Sequence, residues 1–209
     1  SFNVKLVKNR KMARKLIRRA FGQGFPLSNK YADLKQRFWE LRRDKHLKSI
    51  IKVLKGFVRL VWRRPITKLL AIQKGYVYFQ DFIPNNEYDD RIIVIGNRAI
   101  AIRRYNRKND FRASGSGLIK QDKNLFSIDT IKVAFDIASK LQTQSLAFDF
   151  IYNNDKKPLL AEISYAYMIG PAYDDCPGYL DDDLVWHDDD VNPQRYIIED
   201  FIKTLQKNL

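Results

Sequence analysis

LAFDFIYNNDKKPLLAEIS, residues 146–164, holds two apolar runs separated by a polar turn, and each run carries one acid. Asp149 stands between Phe148 and Phe150, and Glu162 between Ala161 and Ile163. Turn residues flanked by β-rich runs predict a hairpin. Closure at Asp155-Lys156 places Asp149 directly opposite Glu162, with Ser164 on the same face by the two-residue period of a strand. A lone carboxylate in an apolar strand is costly unless a cation or hydrogen-bond donors meet it. Two facing carboxylates repel, which makes a divalent metal a natural partner. Magnesium takes a few carboxylates together with waters and ligand phosphates. Pairing of each acid with Lys or Arg is the other reading left open.

Upstream, residues 109–117 read NDFRASGSG. Small residues let a ligand approach the backbone, and Arg112 beside them offers a planar charged fork for phosphate oxygens. A flexible glycine-rich turn is the plain alternative. An arginine-bearing small-residue loop followed by a paired-acid hairpin suggests a nucleoside triphosphate site.

The rest of the chain supplies the frame. Residues 3–7 read as the end of a strand, and 9–21 and 31–43 as helices. Residues 45–64 follow the i, i+3, i+4, i+7 rule through Leu47, Ile50, Ile51, Leu54, Phe57, Val58 and Val61, with Lys and Arg on the other side. From Gly75 the period changes to strands at 76–83, 91–95 and 98–105, the last two joined by Gly96-Asn97. A helix over 127–141 places Ile128, Ile131, Ala134, Phe135 and Ala138 inward. After the 146–152 and 158–165 strands come a Pro-, Gly- and Asp-rich segment (171–190) and a last helix (193–205). This order predicts an α+β fold around an antiparallel sheet with flanking helices, carrying a helical insertion near 31–72. The boundary falls between domains 1–74 and 75–209.

Charge is unevenly spread over the 209 residues. Residues 1–75 hold 22 Lys and Arg against 3 Asp and Glu, and residues 76–209 hold 16 against 21, giving +19 and −5. Such a basic front suits nucleic acid, an anionic membrane or phosphorylated substrates. Phe57 and Trp62 lie with the apolar side of the 45–64 helix and do not interleave with its basic face, which argues against nucleic acid. That helix either packs its stripe on the domain or makes a peripheral membrane contact. No apolar run approaches the roughly 20 residues of a membrane span. A single cysteine, Cys176, fits a reducing, cytoplasmic setting, and two histidines with one cysteine argue against structural zinc. The many aspartates of 174–190 show no calcium-loop spacing and read as a solvated acidic loop.

Taken together, VYFQDFIPNNEYDDRIIVIG (77–96), AIAIRRYNRKNDFRASGSG (99–117) and LAFDFIYNNDKKPLLAEIS resemble the C-terminal part of an ATP-grasp enzyme. The branch is the glutathione-synthetase-like one that includes the ribosomal-protein glutamate ligases. The tail, with CPGYLDDDLVWH, is similar to a bacterial subgroup associated with surface-polysaccharide gene sets. The resemblance implies ATP-dependent carboxylate–amine ligation, in which ATP converts a carboxylate to an acyl phosphate and a nucleophile displaces phosphate. It implies that Gln80, Asp81, Phe82 and Ile83 form the adenine-binding hinge, and that Asp89 lies near the nucleotide. Arg91 and Arg112 would face phosphates or the acyl phosphate, with Ala113 and Ser114 also at the phosphates. Asp149 and Glu162 match the Mg²⁺ ligands. Ser164 stands where the family has Asn, and a hydroxyl is a weaker ligand. The resemblance also implies that a phosphate-covering glycine-rich loop, a nucleotide-binding lysine and an N-terminal domain precede Ser1, so that this chain alone binds ATP poorly. A non-catalytic scaffold and a nucleic-acid binder are the rival classes.

Overall fold

A computed structural model describes residues 4–26, 30–44, 47–61, 72–107, 110–113 and 115–207. The chain divides into two compact units, Ser1–Phe82 and Ile83–Leu209. In the first, α1 (Arg10–Phe21) starts at Asn9, whose side chain accepts a hydrogen bond from the Met12 amide at 2.9 Å, the usual way of satisfying a helix's first donors. Short strands β1 (Phe25–Pro26) and β2 (Ile72–Gln73) pair antiparallel. Helices α2 (Lys30–Asp44) and α3 (Leu47–Val61) pack on each other. The α2–α3 contact is close at Gly56, which leaves room for Leu34 and Arg37, and Phe38 meets Phe57 edge-on at 5.9 Å between ring centres.

The second unit is built on an antiparallel sheet, seven-stranded among the described residues. Its strands are β3 (Tyr88–Ile95), β4 (Arg98–Tyr105), β5 (Ile119–Lys120), β6 (Ser145–Tyr152), β7 (Pro158–Ser164), β8 (Gly178–Asp181) and β9 (Trp186–Asp188). They lie in the order β7-β6-β3-β4-β8-β9, with β5 also on β4. Helix α4 (Ile128–Leu141) covers one face, burying Ile131, Ala134 and Ala138 against Ile92, Val94, Phe148 and Phe150. On the other face, Ile93, Ile95, Ile100, Ile102 and Ala147 pack under Tyr173 of α5 (Pro171–Asp174), Cys176, Val191 and Tyr196 of α6 (Pro193–Lys207). Burial on both faces explains why β3 and β4 carry nearly continuous apolar runs.

Several expectations need correction. Residues 76–83 form no strand, and Tyr76, Tyr78, Phe79 and Phe82 are exposed. Aromatic and β-branched composition reports fit to a half-buried sheet, not a backbone preference, and among the described residues no neighbouring strand supplies that surface. Residues 4–7 are likewise not a strand, and Ile128 is exposed at the start of α4. The 171–190 segment is not merely an acidic loop, because it contains α5 and the β8–β9 hairpin that extends the sheet beyond β4.

Candidate active site

Because the β-strand period is two, residues 89, 91 and 93 of β3 face the same side as 104, 102 and 100 of β4 and 149 and 147 of β6. Along that face the chemistry changes from isoleucine to charge toward the β3 start. Across one row stand Glu162, Asp149 and Arg91, and diagonally beyond them the pair Asp89 and Arg104. Asp149 does lie opposite Glu162, and Ala147 opposite Ser164. The hairpin does not close as expected, however. Tyr152 pairs with Pro158, leaving a five-residue loop at 153–157, and a bulge at Ala161 shifts the register so that Asp149 and Glu162 still meet. Asn153 braces the loop by accepting from the Asp155 and Lys157 amides at 3.0 and 2.9 Å.

Asp149 is held by two arginines. Arg91 donates through Nε and Nη2 at 2.6 and 2.7 Å, and Arg104 Nη2 approaches at 2.8 Å. Arg104 also forks onto Asp89 at 2.6 and 2.7 Å, so it bridges both acids. Burial pushes the Asp149 carboxyl up, but Arg91 and Arg104 together outweigh it and hold it below the usual carboxylate range. At Asp89 burial wins over Arg104 and raises the carboxyl, helped by the charge of Asp149. Burial also works against Arg91, yet its bonds to Asp149 lift it above an ordinary arginine. Tyr173 lies against Arg91 and is pushed up to about 12, chiefly by burial. Four charges thus sum to zero in a water-poor corner.

Glu162 is exposed and makes no ion pair among the described residues. The Ser164 hydroxyl donates to the Ala166 carbonyl at 3.1 Å. Among the described residues no three His, Cys, Asp or Glu side chains converge on a point. Asp149 thus takes the arginine pairing that the sequence left open, with both of its oxygens engaged, and only Glu162 stands outside that pairing. A magnesium ion held between them would need Asp149 released from its arginines and the rest of its shell filled by waters and ligand oxygens.

The remaining expected residues make no hydrogen bond or ion pair with this row among the described residues. Arg112 turns back on its own loop, donating to Asp110 at 2.9 and 2.8 Å, while the Arg112 amide also bonds Asp110 at 3.1 Å. The Arg112 hydrogen bonds lower the Asp110 carboxyl. No hydrogen bond or ion pair joins this loop pair to Asp149 among the described residues. Ala113 is buried, Gly115 and Gly117 have φ of 78° and 69°, and Ser114 lies outside the described residues. Gln80, Asp81 and Phe82 are exposed and Ile83 is half-buried; its carbonyl accepts from Asn86 at 3.3 Å.

A family model for the RimK-like ATP-grasp domain matches residues 46–168. This chain is a RimK-like ATP-grasp protein. The match takes in the whole Asp89–Arg91–Asp149–Glu162 row and most of the sheet beneath it. Membership supports ATP-dependent ligase activity in general, with ATP and Mg²⁺ as the cofactors of ATP-grasp proteins. Comparison with curated proteins gives no match. No helix among the described residues is long and apolar enough to cross a membrane.

Sequence reasoning missed Arg104, Asp90, Arg103 and Tyr173. Counting outward from Gly96-Asn97 places Asp89 opposite Arg104 and Asp90 opposite Arg103, so the signal for the first three was available. The adjacent pairs Asp89-Asp90 and Arg103-Arg104 split between the two faces. On the α4 side, buried Asp90 accepts from Arg103 at 2.7 and 2.8 Å and from the Tyr152 hydroxyl. Arg103 also donates to the Leu125 carbonyl and lies 3.8 Å over the Tyr88 ring. Tyr173 arrives from a four-residue helix far along the chain, and no local pattern marks it.

Proposed function

We propose that this ATP-grasp domain supports carboxylate–amine ligation through an acyl phosphate. In that reaction a substrate carboxylate oxygen bonds the γ-phosphorus of ATP and ADP leaves. The amine nitrogen then bonds the acyl carbon, phosphate departs and the nitrogen loses its proton. The observation that carries this reading is the facing pair Asp149 and Glu162 beside Arg91, at the charged end of the sheet face. Bound Mg²⁺ would neutralise triphosphate charge, with Asp149 and Glu162 as its protein ligands. Arg91 and Arg104 keep Asp149 ionised, and ligation would need them to give up its oxygens. Arg91 exchanged from Asp149 would present its fork to phosphate oxygens, a geometry guanidinium matches well. Arg112, on the 110–113 loop, would serve the acyl or phosphate group, and 80–83 the adenine. The tail's resemblance to a subgroup associated with surface-polysaccharide gene sets supports a part in cell-surface polysaccharide modification, with the acceptor open.

Calorimetric titration with ATP, with and without Mg²⁺, tests this. The expected result is weak heat, in keeping with the poor binding the resemblance implies, that requires Mg²⁺ and is lost in Glu162→Gln while the fold persists. Unchanged Mg²⁺-dependent binding in both Glu162→Gln and Asp149→Asn would sink the assignment. ADP release that requires a carboxylate and an amine together would fix the reaction type.

A further inference from the structure

Helix α3 exposes the side that an amphipathic helix ordinarily buries. Ile50, Ile51, Leu54, Phe57 and Val58 are all exposed, Leu54 at 59% and Val58 at 62%. By the helix period these five cover a continuous arc of about 120°. The partner helix α2 takes a different side, where Val53 and Gly56 are buried and Arg37 donates to the Lys52 carbonyl at 3.1 Å. Phe57, at the edge of the arc, meets α2 through Phe38.

Cations flank this arc on one side. On α3 the exposed Lys55 lies just past Ile51 and the exposed Lys52 further round toward the opposite face, and on α2 the exposed Lys35, Phe38 and Arg42 share one face by the same period. The surrounding sequence is strongly basic: residues 1–75 carry +19, with three acids, all on α2.

We propose that α3 docks, by this arc, on an anionic lipid surface. Three properties of the patch choose that occupant. Its centre is aliphatic, and its aromatic rings, Phe57 and Phe38, lie at one edge packed edge-on against each other, which favours bilayer over stacked bases and argues against RNA or DNA. A second copy would bring the same strongly positive surface against itself, and like charges oppose such contact. An anionic bilayer instead takes aliphatic side chains at the acyl boundary and attracts the flanking lysines and arginines at the headgroups. The helix lies in the interface plane and does not span it. This contact involves none of the charged row on the sheet and does not depend on nucleotide.

Co-sedimentation of the full chain with vesicles tests the inference, using phosphatidylcholine alone and phosphatidylcholine with phosphatidylserine. Binding is expected only to the phosphatidylserine vesicles and weakens as salt rises. Leu54→Gln/Val58→Gln should lower it about tenfold or more, and Lys52→Glu/Lys55→Glu similarly. Gln and Glu are good helix formers, and circular dichroism checks that α3 persists in both variants. Lys132→Glu/Lys140→Glu on α4 controls for net charge and should retain most of the binding. Absence of phosphatidylserine-dependent binding overturns the proposal, as does binding that survives Leu54→Gln/Val58→Gln. Sedimentation equilibrium showing a dimer that the same double variant dissolves would assign the arc to a second copy and overturn it equally. Displacement of the vesicles by RNA, with the Leu54→Gln/Val58→Gln variant still binding RNA normally, would do the same.

Discussion

Asp149 and Glu162 face each other on adjacent strands, yet they stand in opposite physical situations. Asp149 is nearly buried under two arginines, whereas Glu162 is exposed without an ion pair among the described residues. Removing one partner of a buried ion pair leaves an uncompensated charge. Asp149→Asn is therefore expected to destabilise the protein by about 3–5 kcal/mol, read as a fall in the urea midpoint at neutral pH. Glu162→Gln should leave that midpoint nearly unchanged and act only on Mg²⁺-dependent nucleotide binding. A stability loss shared equally by the two variants would contradict the geometry. Arg104 bridges Asp89 and Asp149 through a planar fork, which a lysine's single ammonium cannot reproduce. Arg104→Lys should cost about 1–3 kcal/mol even though charge is conserved, and an unaltered urea midpoint would contradict the bridging role.

At the level of elements, the β3–β4 hairpin was the most legible part of the second unit. Apolar runs on either side of Gly96-Asn97 specify both strands and their register, and the structure follows that register from Tyr88 to Tyr105. The β6–β7 hairpin was legible in outcome but not in means, since a bulge at Ala161 is invisible to residue counting and yet sets which acids meet. Residues 76–83 misled because their composition is strand-like while a strand needs a neighbour. The β8–β9 hairpin hid inside an aspartate-rich stretch. Its Asp181 accepts from the Val185 amide at 2.8 Å and pairs with His187 at 2.6 Å, so acids that look merely solvated help form the turn. Gly96 has φ of 55°, and a side chain there would crowd the Asp200 carboxylate that holds Arg98. Gly96→Ala should therefore lower stability by about 1–3 kcal/mol, measured as a drop in Tm. A neutral or stabilising outcome would mean that the turn relaxes without strain.

Over the whole molecule, pH couples the charged row to folding, because a group shifted on folding makes stability depend on protonation. Asp149, held below its ordinary value, contributes stability that is complete above about pH 4, where the unfolded carboxylate is ionised. That contribution fades as pH falls through the depressed folded value. Asp89, held above its ordinary value, has the opposite sign. Its contribution is complete below about pH 4 and is lost as pH rises through the raised folded value. Two acids joined by one arginine thus pull the stability profile in opposite directions. Urea unfolding across the acid range should show a shallower acid decline in Asp149→Asn than in the parent chain, because the variant has already lost what acid would remove. Asp89→Asn should instead gain stability relative to the parent as pH rises from about 4 to 7, the window in which the parent loses the Asp89 contribution. Both profiles running parallel to the parent would show that neither carboxyl is perturbed by folding. Profiles shifted in the same direction would show that the row titrates as one unit, with Arg104 unable to keep its two acids apart.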